Sequence, residues 1–176
     1  MICRLLLIIL LAGLGGCSTQ KSQGESLVEK SILAHGGLKN YSNLQDFRYE
    51  KTSYTLDAQE IINDTLVQQF KLKDKGTQIE YLGLKSPSFS EKPLEQIKVT
   101  YPNSNDIWYF FFDHETKYVL ANAVDHNGKI SLILNDSLQW HKNMFVHSRR
   151  RSFLSNSNFE LIRLQASYKY KMLSVE

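Results

Sequence analysis

From about residue 44 to the end of the chain, apolar and polar residues alternate in one short segment after another. The clearest examples are residues 96–101 (QIKVTY) and 162–170 (IRLQASYKY). Successive side chains of a β-strand point to opposite faces of a sheet, so this period predicts strands with one packed and one wet face. Looser patterns of the same kind cover residues 62–72, 77–84, 118–126 and 130–134.

Turn signals separate these segments at the spacing of hairpins. Asn127-Gly128 is the strongest, because a type I′ turn needs positive φ at both central residues. Eight to ten predicted strands follow one another with no helical segment between them, which favours an antiparallel meander that curls on itself. The predicted fold class is mainly β (α+β): an incomplete antiparallel β-barrel, or half-barrel, wrapped around one N-terminal helix.

The predicted helix precedes the first strand. Two overlapping capping boxes of the form Ser-x-x-Glu occupy residues 22–25 and 26–29, and the apolar residues that follow share one helical face. Gly36-Gly37 ends the pattern. We therefore expect a helix over residues 25–35, which must cover one open side of the sheet.

The chain opens with an apolar run, residues 5–14, behind a lone cation, Arg4. This arrangement is typical of a secretory signal, and the run is shorter than the roughly 20 residues that span a bilayer. It ends in Leu14-Gly15-Gly16-Cys17, which resembles a bacterial lipoprotein cleavage site with Cys17 as the acylated residue. The alternative is an ordinary signal peptide in which Cys17 is incidental.

Cleavage before Cys17 divides the chain into three parts. They are a signal peptide (1–16), a lipidated N-terminus with a flexible tether (17–24), and a single half-barrel domain (25–176). The tether is predicted because residues 18–24 are small and polar and show no periodicity. Ser18 after the cysteine, with no acidic cluster beside it, resembles outer-membrane lipoproteins that face the periplasm, so the expected partner is the membrane that holds the anchor.

Composition and motifs argue against several other functions. Removing residues 1–16 takes away one charged residue, Arg4, so the formal net charge falls from +3 to +2 and no nucleic-acid partner is expected. Cys3 leaves with the signal and Cys17 carries the lipid, so no disulfide is expected. The five histidines lack metal-ligand spacing, and no nucleophile motif is present. We therefore expect neither a metal nor a cofactor, and no enzymatic activity.

The densest apolar segment is residues 107–112 (IWYFFF). On a strand, Trp108, Phe110 and Phe112 share one parity, and one interpretation is that they line a cavity for an apolar ligand. The alternative is a central strand buried between the helix and the sheet, since aromatic side chains dominate protein cores. The sequence leaves both interpretations open.

Three consecutive arginines form the main charge cluster. On a strand, Arg149 and Arg151 share one face and Arg150 takes the other. One interpretation is an edge strand that its charges protect from pairing with other chains. The other is a contact with anionic lipid headgroups, to which each nearby basic residue adds about 1 kcal/mol.

The order of these features is similar to that of uncharacterised bacterial envelope proteins related to the outer-membrane lipoprotein carrier and receptor. The resemblance rests on residues 34–38 (AHGGL) before a strand at 44–54, on residues 106–120 (DIWYFFFDHETKYVL), and on residues 140–153 (WHKNMFVHSRRRSF). The last segment lacks the usual Gly and Pro of its turn. Residues 84–93, with Phe89 near their middle, are the positional candidate for the receptor's protruding apolar loop.

The resemblance implies an incomplete barrel around a helix, with an apolar cavity that holds lipoprotein acyl chains in the carrier and receptor, and it brings no catalytic residues. The expected function is thus that of a lipid-anchored envelope protein that binds an apolar ligand through Trp108, Phe110 and Phe112. The alternative is a non-catalytic protein-interaction module of the envelope whose apolar interior is only core.

Overall fold

The structure of the protein, a computed structural model, describes residues 21–37, 39–40, 47–55, 61–66, 76–141 and 143–175. The predicted signal peptide and the acylation site at Cys17 lie outside these residues. The elements in chain order are α1 (Gln23–Ala34), β1 (Phe47–Thr55), β2 (Ile61–Leu66), β3 (Gln78–Lys85), β4 (Leu94–Thr100), β5 (Ile107–Asp113), β6 (Val119–His126), β7 (Lys129–His141), β8 (Met144–Ser155) and β9 (Leu161–Val175).

All nine described strands belong to one sheet, in the order β2-β1-β9-β8-β7-β6-β5-β4-β3. Each observed pairing is antiparallel. Consecutive strands are neighbours everywhere except between β2 and β3, and β1 pairs with β9. The strands β2 and β3 are therefore the two edges of the sheet, and pairing between them would close it into a barrel. The predicted mainly-β class is confirmed, and the sheet is consistent with an incomplete barrel.

The helix begins at Gln23, two residues earlier than predicted. Of the two capping boxes, the first one forms: Glu25 N donates to Ser22 Oγ at 3.1 Å, and Ser22 N donates to the Glu25 carboxylate at 2.9 Å. The last two residues of the predicted tether, Gln23 and Gly24, are therefore helical. Gly24 is buried, and a Cβ there would stand 2.8 Å from Ile79 Cγ2, so a glycine lets this end of the helix approach β3 closely.

The other end of the helix is attached to the β7–β8 hairpin. His35 is the C-cap residue, and its carbonyl accepts a hydrogen bond from Phe145 N at 2.9 Å. Asn40 Nδ2 adds a bond to Asn143 O at 3.2 Å. The helix thus reaches from the edge strand β3 to β8 along one face of the sheet, which we call the helix side. The opposite face is the outer side.

Both faces of the sheet carry a core. On the helix side, Leu27 of α1 packs with Ile97, Val99 and Phe112. On the outer side, Phe111 lies in a larger buried cluster that includes Leu94, Ala121, Ala123, Ile130 and Leu132. The alternation along β5 therefore sends Phe111 and Phe112 into two different cores.

Two loop aromatics cover the outer core. The rings of Phe89 and Phe159 both meet Phe111 edge-to-face, at centroid distances of 5.2 and 5.0 Å. Phe159 does so from a φ of 60°, which is unusual for a bulky side chain and is maintained here by packing. Phe89, the middle residue of the positional candidate for a protruding loop at residues 84–93, is thus half-buried against the outer core.

Two hairpin turns contain residues with a positive φ. Asn127 and Gly128 have φ values of 53° and 85° between the paired residues His126 and Lys129, as the predicted type I′ turn requires. In the β7–β8 hairpin, Asn143 has a φ of 65°. Asparagine tolerates this left-handed conformation, so it replaces the glycine that the sequence lacks there.

Candidate functional site

Trp108, Phe110 and Phe112 lie on the helix side of β5, but their environments differ. Phe112 is only 3% exposed and packs with Leu27 beneath the helix. Trp108 and Phe110 are half-buried, and their rings stack at 6.4 Å with an interplanar angle of 18°. Phe112 is therefore a core residue, whereas Trp108 and Phe110 lie at the margin of the helix contact.

The half-buried apolar surface continues from these two aromatics across the sheet. In the strand register, Trp108 pairs with Val124, Val124 with Ser131, and Ser131 with Leu154 on β8. In the next row, Phe110 pairs with Asn122, which pairs with Ile133. We call the five half-buried apolar residues of these rows the apolar platform: Trp108, Phe110, Val124, Ile133 and Leu154.

One arginine lies on the same side of the sheet as the platform. Arg150 Nε donates to Asn135 Oδ1 and its Nη2 donates to Asn122 Oδ1, both at 2.8 Å. Asn122 is 7% exposed, and it is the direct cross-strand neighbour of Phe110. The guanidinium is thus oriented by two amide oxygens at the border of the apolar platform.

The neighbouring arginines are on the outer side, as the alternation predicts. Arg151 makes a bidentate ion pair with Asp136 at 2.7 and 2.8 Å and lies 5.6 Å from the Phe153 ring. Arg149 is exposed and pairs with Lys169 across β8 and β9. All three arginines line an open groove of about 430 Å³, together with Asp136, Tyr168 and Lys169. Because β8 lies between β7 and β9, the expectation of an edge strand protected by charge is wrong.

Two histidines meet beneath the C-terminal end of the helix. The rings of His35 and His147 are 5.8 Å apart, and Tyr118 contacts His35 edge-to-face at 5.2 Å. The nitrogen Nδ1 of His35 must carry a proton, because it lies 2.8 Å from the Ser31 carbonyl oxygen. His35 Nε2 and His147 Nδ1 are buried without a hydrogen-bond partner.

Burial keeps both rings neutral. It lowers the pKa of His147 to about 3, and the positive charge of Arg150 and the proximity of His35 act in the same direction. Burial also lowers the pKa of His35, although the hydrogen bond to the Ser31 carbonyl opposes this. The pair therefore stabilises the helix attachment only in its uncharged form.

We expect acid to destabilise the fold through these rings. Below pH 6.5 the unfolded chain binds a proton at His147 while the folded chain does not. The contribution of the neutral ring to the free energy of unfolding is therefore fully present above pH 6.5 and is lost as the pH falls toward 3. The loss from His147 alone is about 2 kcal/mol at pH 5. Denaturant titrations of the full chain at pH 8 and pH 5 measure it.

Substitution of single histidines shows which residue causes the pH dependence of stability. His147→Phe keeps an aromatic ring and removes the proton site, so the difference between pH 8 and pH 5 should shrink by about 2 kcal/mol. His126→Gln is the control, because His126 is exposed and pairs with Asp106. An unchanged pH dependence in His147→Phe would show that the ring is not the responsible group.

The described residues also include scattered metal-ligating and acidic side chains. No group of three or more His, Cys, Asp or Glu side chains among them is arranged to hold a metal ion. Asp113 and Glu115 lie in the turn before β6, where Asp113 Oδ1 accepts bonds from Glu115 N, Thr116 N and Thr116 Oγ1. These bonds to the backbone and hydroxyl of the turn lower the pKa of Asp113, so the carboxylate stabilises the turn.

Sequence reasoning placed the aromatic residues but not their surroundings. The parity of the arginine cluster separated Arg150 from its neighbours, but it did not place Arg150 beside Phe110 or mark it as a site residue. The position of His147 had no such signal. A register shift between Ser137 and Leu138, opposite Arg149 and His147, breaks the alternation of β8 there, and this bulge lets His147 approach His35 on the helix side.

Comparisons with protein-family models, curated proteins and solved structures give no match to this chain. Within the described ranges, no helix is both long and apolar enough to span a membrane. The candidate site therefore rests on the structure alone. It consists of the apolar platform and the oriented guanidinium of Arg150, on a face of the sheet that the helix covers only in part.

Proposed function

We propose that this protein is a lipid-anchored, non-enzymatic envelope protein that binds an apolar ligand, such as an acyl chain, on the helix side of an incomplete barrel. The observation that carries the proposal is the apolar platform. Its five side chains are half-buried and lie in two adjacent rows of the strand register, interrupted by Ser131 in one row and Asn122 in the other, whereas Phe111 and Phe112 of the same strand are buried. Apolar side chains that remain partly accessible to solvent in one patch are typical of interaction sites.

The position of the helix supports the same proposal. The helix is attached at its two ends, at Ile79 and at Phe145, and its buried apolar contact is Leu27. It therefore leaves Trp108 and Phe110 at its margin, where a ligand replaces water without displacing a core residue. The proposed ligand contacts are accordingly Trp108 and Phe110, while Phe112 supports them from the core.

The sequence motifs supply the proposed location. Acylation of Cys17 anchors the protein in the outer membrane on its periplasmic side. With the half-barrel architecture, this anchor suggests a relation to the lipoprotein carrier and receptor, in which acyl chains are the cargo. An acyl ligand fits a domain that a short tether holds next to lipid.

A photoreactive residue tests the proposal in the intact, membrane-bound chain. We expect p-benzoylphenylalanine at position 110 to form a covalent lipid adduct on irradiation of cells. Phe110 faces the platform on which the ligand is proposed to lie. Intact-protein mass spectrometry detects the adduct as an added lipid mass.

Position 109 provides the matched control. Tyr109 is the next residue of β5 and is also half-buried, but its ring packs on Phe159 on the outer side. The adduct should be at least about tenfold less abundant there, since the two faces are separated by the sheet. Equal lipid adducts at both positions, or none at position 110, would favour the alternative of an interaction module whose apolar interior is only core.

A further inference from the structure

Among the side chains that the structure describes, no acid neutralises the guanidinium of Arg150 at the border of the apolar platform. Its two observed partners, Asn122 and Asn135, are uncharged amides. No carboxylate of residues 21–37, 39–40, 76–141 or 143–171 lies within ion-pair distance of it. Burying a cation is costly unless a counter-charge accompanies it, so an unpaired arginine at an apolar surface points to an anion that arrives from outside.

The surroundings of Arg150 orient it as a binding group. Asn122 is buried and fixes Nη2, while Asn135 fixes Nε and is itself held by a bond from its Nδ2 to Val119 O at 3.1 Å. A guanidinium has five N–H donors, and these two bonds use two of them. The remaining donors match the bidentate geometry of a carboxylate or a phosphate.

The apolar platform beside Arg150 matches a ligand in which such an anion is joined to a hydrocarbon chain. The side chain of Arg150 reaches Asn122, which faces Phe110 directly across the β5–β6 pair. From Phe110 and Trp108 the platform extends over four neighbouring strands to Leu154, which is about 14 Å at the usual strand spacing. It is two rows of side chains wide, which suits one acyl chain.

We propose that Arg150 binds the acidic headgroup of a single-chain lipid whose hydrocarbon chain lies on the apolar platform. This inference rests on the proposed function and adds to it the charge of the ligand and the residue that recognises it. A carboxylate and a phosphate monoester share the required chemistry. A neutral lipid of the same length leaves the guanidinium unpaired and binds less tightly.

Two photoreactive probes test this inference on the full chain in nanodiscs of neutral lipid. They are a diazirine analogue of palmitic acid and the corresponding analogue of palmityl alcohol, which have the same chain and differ in the headgroup. We expect the acid to label the wild-type chain about tenfold more strongly than the alcohol, the factor expected for a hydrogen bond to a charged group.

Three variants assign the preference to Arg150. Arg150→Gln should reduce labelling by the acid about tenfold and labelling by the alcohol less than about twofold. Asn122→Asp should reduce labelling by the two probes to the same extents although Arg150 is still present, because the new carboxylate forms an ion pair with the guanidinium. Arg149→Gln is the matched control, since Arg149 is exposed on the outer side, and it should change neither probe.

The outcomes separate this inference from the proposed function. Equal labelling by both probes in the wild-type chain, or an equal loss of both in Arg150→Gln and Asn122→Asp, overturns the role of Arg150 but leaves an apolar site. No labelling by either probe overturns the proposed function as well. Loss of acid labelling in excess inorganic phosphate would show that the site takes a free anion, and it would overturn the assignment to a lipid.

Discussion

Gly36→Ala is expected to lower the free energy of unfolding by about 3–5 kcal/mol. Gly36 has a φ of 119°, a conformation that costs about 1–3 kcal/mol for a residue with a Cβ. The added Cβ would also stand 2.3 Å from Asn143 O and 2.9 Å from Met144 Cα. Both are backbone atoms of the β7–β8 hairpin, so relief of the clash displaces the helix end from the strand that holds it.

A substitution at the neighbouring Gly37 distinguishes the cost of backbone strain from the cost of the steric clash. Gly37 has a φ of 83°, but the nearest atom to a Cβ there is Leu33 Cδ2 at 3.9 Å. Gly37→Ala should therefore cost only the conformational part, about 1–2 kcal/mol. Denaturant titration of the full chain, followed by tryptophan fluorescence, compares the two variants. Equal losses would mean that the contact between the helix end and the hairpin contributes little to stability.

The contact at Gly36 also matters for the proposed site. The helix is attached at Gly24 on β3 and at His35 on β8, and these two attachments decide how much of the helix side it covers. Both depend on a glycine that allows close approach of the backbone to a neighbouring element. Loss of either attachment frees one end of the helix and changes the access to Trp108 and Phe110.

Local patterns in the sequence predicted most of the elements. The alternation at residues 96–101 falls in β4 up to its last residue, Thr100, and that at residues 162–170 lies within β9. The first capping box begins the helix. The Asn127-Gly128 turn has the predicted conformation. These features depend on residues within a few positions of one another, where strand period, cap chemistry and allowed φ values suffice.

Long-range pairing was beyond the sequence analysis. Asn122 and Arg150 are 28 residues apart and meet because the register of three neighbouring strands aligns them. The outer core similarly depends on Phe89 and Phe159, which come from two separate loops and pack against Phe111. Periodicity assigns a side chain to a face of the sheet, but it does not specify which residues of other strands lie next to it.

The two faces of β5 are expected to respond differently to truncation. Phe111→Ala should lower the free energy of unfolding by about 3–5 kcal/mol, because it empties a fully buried site between Phe89 and Phe159. Denaturant titration of the full chain measures the loss.

Phe110→Ala is the matched control, because it removes the same side chain from the next residue of the same strand. Phe110 is half-buried, so its removal should cost about 1–2 kcal/mol of stability. Under the proposed function it should also weaken labelling by the lipid probes, which Phe111→Ala leaves unchanged as long as the chain is folded. A stability loss at Phe110 as large as that at Phe111 would place both rings in closed cores and remove the structural basis for a ligand site on the helix side.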